Sequence, residues 1–490
     1  MDVTRGDSGS HRHGHRVGVA VLGSLAAALT VACGGDSHAP DRATTPTGSP
    51  AAIESLQIDG ARLMACSPVG YRFPPGASIV TGQGSVDLEE MAARPDDAQV
   101  LPTARIEGAG VTDVHAAWRP RRAGVALEIH ASPGLLPNEP YVVRLDLRGL
   151  RVDGAPLAGE LTYTVHTLPA DAAGTWVFAE YTSAWFDKPR SFELYLPPGY
   201  GESPDQRYPV LHAYVGGLSK IDNWRTKGFV DVLLDEMIQS CEIEPMLFAS
   251  PDPHFAGPIL ALPDNRFLFV GGDYVDWFDG TEHFERYLAE EFPAYLEDHY
   301  AARRDKWGHG TMGYSLAGFG AAAMAMRNPD RFGSTSPMGG FLSLRYLGGK
   351  PYRPPSEVPY WTDPYANPIS LNLEGAVVVS AMRKSLGPDL ANWSAHNPVE
   401  LAEGLTDATF AGNILIDVGD ADRYGVDMHA VDLSRVLDER GIRHILRITP
   451  DGPHDWPLWR AILPDILAFH SRAFAGIPQP SSLPPRPLLE

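Results

Sequence analysis

The stretch Met312-Gly313-Tyr314-Ser315-Leu316-Ala317-Gly318-Phe319-Gly320 constrains this 490-residue chain more than any other. A serine with Gly at −2 and small residues at +2 and +3, followed by the small-residue run 320–326, reads as a nucleophile elbow between a strand and a helix. The reason is steric. An elbow serine occupies a strained backbone conformation, and large flanking side chains would collide with the neighbouring strand and helix. In return its hydroxyl stands at the carboxyl edge of a sheet, with the next N–H aimed at a developing oxyanion. Ala317 occupies the last position of the G-x-S-x-G pattern, which is met in four of five letters. A Gly- and Ser-rich helix start in an ordinary α/β domain gives similar letters, so the reading depends on partners.

A serine hydroxyl needs a histidine base oriented by a carboxylate, in the chain order Ser, acid, His on this architecture. Two loops fit. Gly419-Asp420-Ala421-Asp422 follows the apolar strand 413–418, and Asp422 is the expected acid because it reaches further over the sheet, with Asp420 the alternative. Pro450-Asp451-Gly452-Pro453-His454-Asp455-Trp456 follows the strand 444–448, which makes His454 the expected base. His309, His429 and His444 lack that combination of turn, edge and order. The second oxyanion N–H is expected after the strand 208–215, at Gly216-Gly217-Leu218, so Leu218 and Leu316 are the expected donors.

Around these motifs strands alternate with helices from Gly174 onward, the mark of a mainly parallel sheet covered on both faces. Expected strands are 191–196, 208–215, 266–270 and 306–312, the last poor in β-branched residues and carrying two glycines. Phe284, Tyr287, Leu288, Phe292, Tyr295 and Leu296 lie at helical spacing, with a kink expected at Pro293. Residues 339–410 form a long insertion rich in Pro and aromatics, placed to overhang the serine as a cap. A last helix begins near Pro457 with Asp455 as N-cap, and a Pro-rich tail, 476–490, is expected to be loose.

Residues 53–169 carry short alternating runs, such as 125–130, 141–147 and 161–167, separated by turn residues. This pattern suits a small all-β domain of Ig-like sandwich type, a spacer rather than a glycan binder. Before it, Arg12 and Arg16 precede the apolar run 17–32, a signal-peptide pattern over 1–32. Leu29-Thr30-Val31-Ala32-Cys33 resembles a bacterial lipoprotein box with Cys33 as the lipidated residue. Thr30 stands where that pattern has Leu, so cleavage without lipidation is the other reading. Residues 33–52, rich in Pro, Ser, Thr and Gly, read as a disordered tether. The expectation is an exported chain, a cell-envelope lipoprotein or a secreted or periplasmic protein, touching membrane only through Cys33.

The net charge of −21 argues against nucleic acid or an anionic membrane surface as partner. Export permits a bridge between Cys66 and Cys241, but they fall in different expected domains, so two buried free thiols are expected. No Cys/His spacing suggests a metal site.

Taken together, Tyr195-Leu-Pro-Pro-Gly-Tyr200, Tyr208-Pro-Val-Leu, Gly217 with Trp224, Gly313-Tyr-Ser-Leu-Ala-Gly318, Arg327-Asn-Pro-Asp-Arg-Phe332 and Gly452-Pro-His-Asp-Trp456 with Trp459 resemble the putative-esterase family of α/β-hydrolases. That family includes esterase D, enterochelin esterases, feruloyl esterases and mycolyltransferases. The resemblance covers about 190–475 and departs at Ala317, at Pro453 and in the long insertion. It implies an α/β-hydrolase domain over 170–475, serine ester chemistry at Ser315 with His454 and Asp422, and no cofactor. The expected substrate is a small-molecule or polymer-borne ester. Acyl transfer to a cell-envelope acceptor is the alternative outcome of the same acyl-enzyme. A surface glycan-binding protein without turnover is the alternative from another class.

Overall fold

Val210–Tyr214 and His309–Tyr314 are buried along their whole length, and a strand covered on both faces belongs at the centre of a sheet. In the computed structural model they lie side by side in an eight-stranded sheet. The structure describes residues 61–67, 69–72, 79–81, 84–86, 103–122, 125–148, 150–152, 155–156, 159–217, 219–252, 260–261, 267–268, 274–344 and 382–488. The sheet strands are β1 Thr175–Tyr181, β2 Arg190–Leu196, β3 Val210–Tyr214, β4 Leu247–Pro251, β5 His309–Tyr314, β6 Ser334–Met338, β7 Leu415–Gly419 and β8 Ile445–Thr449. Their order is 1-2-4-3-5-6-7-8, with β2 antiparallel to both neighbours and β3 to β8 parallel. This is the α/β-hydrolase arrangement.

Four longer helices follow strands: α1 Val230–Gln239, α2 Leu316–Arg327, α3 Asp427–Glu439 and α4 Trp456–Ala475. Residues of α1 and α4 share one core with Leu211, Ala213 and Phe248 of the sheet. Those of α2 and α3 share the opposite core with Phe192, Val210 and Ile416, as strand alternation requires. At the start of α4 the Asp455 carboxylate accepts the Trp456 N–H, with Pro457 in the first turn.

Several expectations need correction. Of the run 266–270, the described part, Phe267–Leu268, pairs with Leu260–Ala261 in a separate ribbon and not with the main sheet. The neighbour of β2 and β3 is instead Leu247–Pro251, another short apolar run that periodicity cannot rank above the first. Residues Lys306–Gly308 form a 3-10 turn, and the weak strand 306–312 begins only at His309. Next to Pro293 the structure places a π-helical turn, Tyr287–Glu291, between Phe284–Arg286 and Phe292–His299. A widened turn accommodates the N–H that proline lacks. The tail is held rather than loose: Gln479 donates to the Phe469 carbonyl at 2.9 Å, and Arg486 pairs with Asp465. Asp465 also pairs with Arg447, which is buried against Asp417 of β7.

Of the insertion, 345–381 lies outside the described residues. Its described end, 382–410, carries Leu390–Ser394, Pro398–Glu403 and Asp407–Phe410, with Trp393, Val399 and Phe410 in the core beside α2 and α3. The expected signal peptide 1–32, the expected tether 33–52 and Cys33 also lie outside the described residues.

N-terminal to β1, strand Glu160–Thr167 pairs with Ala61–Leu63 and Pro140–Asp146, which pairs in turn with Thr103–Glu107. A second sheet joins Val69–Arg72, Val125–Ser132 and Asp113–Pro120. Tyr141, Val143 and Leu145, alternate residues of one strand, share a core with Trp118, Leu127 and Ile129 of the other sheet. Several contacts fasten this assembly to the part of the chain that carries the main sheet, among them Arg62 with Glu202 at 3.0 Å, and two stand out. Arg122 lies 3.7 Å from the centre of the Trp307 ring and donates to the Ala473 carbonyl at 2.6 Å.

The second fastening overturns the free-thiol expectation. Cys66 and Cys241 form a disulfide across 175 residues of sequence, with Cα atoms 6.1 Å apart, and neither residue is buried. Sequence separation hid a proximity that tertiary packing creates. Closing so long a loop restricts the unfolded chain, a stabilisation of about 2–5 kcal/mol. Cys66→Ser with Cys241→Ser is therefore expected to lower unfolding free energy by about that amount in urea titration. Equal stability with and without the bridge would contradict this role.

Candidate active site

Ser315 sits between β5 and α2 at φ 60° and ψ −128°, a conformation an L residue adopts only under constraint. Its N–H donates to the Met338 carbonyl of β6 at 2.9 Å. The flanking positions show why they are small. A Cβ on Gly313 would lie 2.4 Å from the Ala317 carbonyl oxygen, and one on Gly318 would lie 2.6 Å from the Gly340 Cα. The tight approach to the next loop thus falls at Gly318, one residue after the position where the pattern has its last glycine. Ala317 fits because the contact has moved. Leu316 opens α2, so its N–H has no intrahelical acceptor. Leu218 lies outside the described residues, while Gly216 and Gly217 beside it are described; a Cβ on Gly216 would lie 2.8 Å from the Tyr314 ring.

The loops after β7 and β8 are laced together. Asp420 N–H donates to the Thr449 carbonyl at 3.1 Å and Ala421 N–H to the Gly452 carbonyl at 3.2 Å. A Cβ on Gly419 would lie 2.0 Å from the Gly452 oxygen, so the two backbones touch. This lacing separates the two candidate acids. The Asp420 carboxylate accepts the Asp451 N–H at 2.7 Å and holds the loop. The Asp422 carboxylate turns inward, with Oδ2 2.5 Å from His454 Nδ1 and Oδ1 accepting the Tyr424 N–H at 2.8 Å. His454 Nε2 lies 2.8 Å from Ser315 Oγ. Ser315, His454 and Asp422 are therefore joined by consecutive hydrogen bonds. With Nδ1–H given to the carboxylate, the Nε2 lone pair faces the hydroxyl, and the hydroxyl proton has a base in reach.

Burial protects this chain of bonds. His454 and Asp422 are 5% and 6% exposed. The imidazole is clamped edge-on by Tyr424 and Trp459, with ring centres at 4.6 and 5.4 Å. Gly339, at φ 53°, passes beside the pair, and a Cβ there would sit 3.4 Å from His454 Nδ1. Nearby His429 is fully buried and accepts the Ser343 N–H at 3.2 Å. Burial lowers its pKa to about 4 against the opposing charge of Asp422, so it stays neutral. His309 bonds His212 and the Arg303 carbonyl, and His444 bonds Ser434, both away from Ser315.

A cavity of about 230 Å³ opens beside Ser315 and His454, walled by Tyr314, Phe341, Trp456 and Trp459. The Tyr314 phenol is pushed up to about 12 by burial, against hydrogen bonds from Ser219 and Asn223, and stays protonated. Tyr424, Gly339 and Phe341 were not singled out in the sequence. The Gly339-Gly340 pair directly after the run Ser334–Met338 was the one available signal.

The model of the family described as "Putative esterase" matches residues 183–470, more than half of the chain. Among solved structures, the chain is similar to a ferulic acid esterase at 20% identity, with TM-score 0.46, over 62% of this chain and 99% of that one. An S-formylglutathione hydrolase from Agrobacterium tumefaciens matches at 21% identity and TM-score 0.46, over 62% and 96%. A CE1 ferulic acid esterase from the anaerobic fungus Anaeromyces mucronatus matches at 17% identity and TM-score 0.42, over 62% and 92%. The chain belongs to the Putative esterase family and is a serine esterase, a carboxylic ester hydrolase of α/β-hydrolase type.

Proposed function

We propose that the protein hydrolyses carboxylic esters through an acyl-enzyme on Ser315, with His454 as base and Asp422 as the carboxylate that orients it. The observation that carries this reading is the pair of hydrogen bonds at 2.8 and 2.5 Å in a buried, aromatic-clamped setting. Ser315 Oγ attacks the ester carbonyl while His454 Nε2 takes its proton. The tetrahedral oxyanion is met by the N–H groups of Leu316 and Leu218, each worth about 3 kcal/mol of transition-state stabilisation. His454 then gives the proton to the departing alcohol. Water deprotonated by His454 attacks the acyl-enzyme, and the carboxylic acid leaves with Ser315 restored.

The chain is further proposed to be exported, with 1–32 as signal peptide and Cys33 as lipid anchor at the end of the tether 33–52. The disulfide between Cys66 and Cys241 supports that reading, because such bridges persist in oxidising compartments. Residues 53–169 are proposed as an Ig-like sandwich, a reading supported by two sheets with one shared core. Residues 170–475 are the proposed catalytic domain.

The test is hydrolysis of p-nitrophenyl acetate, butyrate and octanoate by the purified protein beside Ser315→Ala. Ser315→Ala is expected to remove activity by a factor of about 10⁴ or more; undiminished turnover would refute the nucleophile. A paired substitution separates the two acids. Asp422→Asn is expected to lower kcat by about 10³- to 10⁴-fold. Asp420→Asn, which keeps an acceptor for the Asp451 N–H, is expected to leave kcat little changed. The reverse order would reassign the acid.

A further inference from the structure

The cavity beside Ser315 holds charged groups that the acyl chemistry does not use. Lys227 and Arg423 line it, and the one carboxylate among its lining residues, Asp455, is occupied in capping α4 through the Trp456 N–H. Across the chain, acidic residues outnumber basic ones by 61 to 40, so this lining reverses the overall bias. No salt bridge to a described residue involves Lys227. Beyond it, Lys227 also lines an adjoining depression of about 420 Å³ together with Lys220 and the carboxylate Asp222.

Both cations stand on backbone that the site itself fixes. Lys227 closes the helical turn Asn223–Thr226, its N–H donating to the Asn223 carbonyl at 2.9 Å. The next residue, Gly228, is so tightly placed that a Cβ would lie 2.5 Å from the Trp224 carbonyl oxygen and 3.0 Å from the Trp456 ring. Phe229 follows at φ 52°, a strained conformation for an aromatic residue. Arg423 lies between Asp422 and Tyr424, its guanidinium 5.0 Å from the centre of the Tyr424 ring. Segments fixed by Trp456 on one side and Asp422 on the other therefore carry positive charge to the nucleophile. The lining thus carries two cations against one carboxylate, and a net positive field in a cleft with apolar walls concentrates anions.

We propose that Lys227 and Arg423 form an anion subsite beside Ser315, so that the preferred substrate is an ester bearing a negatively charged group such as a carboxylate. This rests on the esterase reading above and names its substrate class. Both cations are exposed, and two such surface ion pairs correspond to about tenfold in affinity at the upper end of their usual strength.

Two pairs of esters test it and locate the charge. 4-Acetoxybenzoate against p-tolyl acetate places the anion on the alcohol side. Mono-p-nitrophenyl glutarate against p-nitrophenyl valerate places it on the acyl side. For at least one pair the anionic ester is expected to show a KM about tenfold lower at low salt. That advantage is expected to fall below about threefold in 0.5 M NaCl, where screening is strong. It is expected to collapse likewise in Lys227→Ala/Arg423→Ala, and to invert in Lys227→Glu. No advantage in either pair, or one indifferent to salt and to these substitutions, would overturn the subsite.

Binding without turnover separates this from the esterase reading. In Ser315→Ala, quenching of tryptophan fluorescence is followed with amide isosteres: 4-acetamidobenzoate against 4-acetamidotoluene, and glutaranilic acid against valeranilide. About tenfold tighter binding of the anion in one pair supports the subsite even if every ester fails as a substrate, which would refute only the esterase reading. Equal affinities in both pairs overturn the subsite whatever the esterase activity.

Discussion

The backbone of Ser315, held at φ 60°, is the constraint on which the rest of the site depends. Such a conformation costs of order 1–3 kcal/mol and persists only where its surroundings over-determine it. Here they do so from three directions. The Met338 carbonyl takes the Ser315 N–H, Ala317 presses back on Gly313, and Gly340 presses on Gly318. The last two contacts leave no room for a larger side chain at Gly313 or Gly318. Parallel strands β5 to β8 then end at the same edge, so the loops after β7 and β8 open toward the same hydroxyl. The strain, the parallel topology and the convergence of His454 and Asp422 are one geometric arrangement.

That arrangement explains what could be read in the sequence. The elbow and the Gly-Pro-His turn are local patterns, in which backbone need dictates residue type within a few positions. Asp422 was readable because only two carboxylates follow β7 in its loop, and the one further along can reach over the sheet. What escaped was set by distant contacts. Leu247–Pro251 and 266–270 are both short apolar runs, and only pairing with β2 and β3 tells them apart. Cys66 and Cys241 meet because two assemblies dock, which no spacing rule encodes. The weak propensity of His309–Tyr314 is overridden by burial: glycines in that strand leave room for α2, α4 and the turn beyond it. Gly310 illustrates this, since a Cβ there would lie 2.7 Å from the His470 ring of α4.

The same logic joins the chain's extremities to its centre. Arg447, 1% exposed, forks onto Asp417 of β7 and reaches Asp465 of α4, which in turn holds Arg486 of the tail. Breaking such a buried pair on one side leaves an uncompensated charge, typically a loss of about 3–5 kcal/mol. Asp417 lies five residues before Asp422, and its carbonyl accepts the Gly339 N–H at 2.7 Å. A network that pins the tail therefore also stiffens the strand that leads to Asp422. At the other end, Arg122 and the disulfide fasten the preceding sheets to α4 and to Cys241, two residues after α1.

On the proposed mechanism one strained serine, and no other, carries the acyl group. Reaction of the folded protein with a fluorophosphonate, followed by peptide mass spectrometry, tests it most directly. One adduct per chain is expected, located on Ser315, with labelling slowed by Asp422→Asn and abolished by Ser315→Ala. An adduct on another serine, or ester hydrolysis that persists after Ser315 is fully modified, would contradict it.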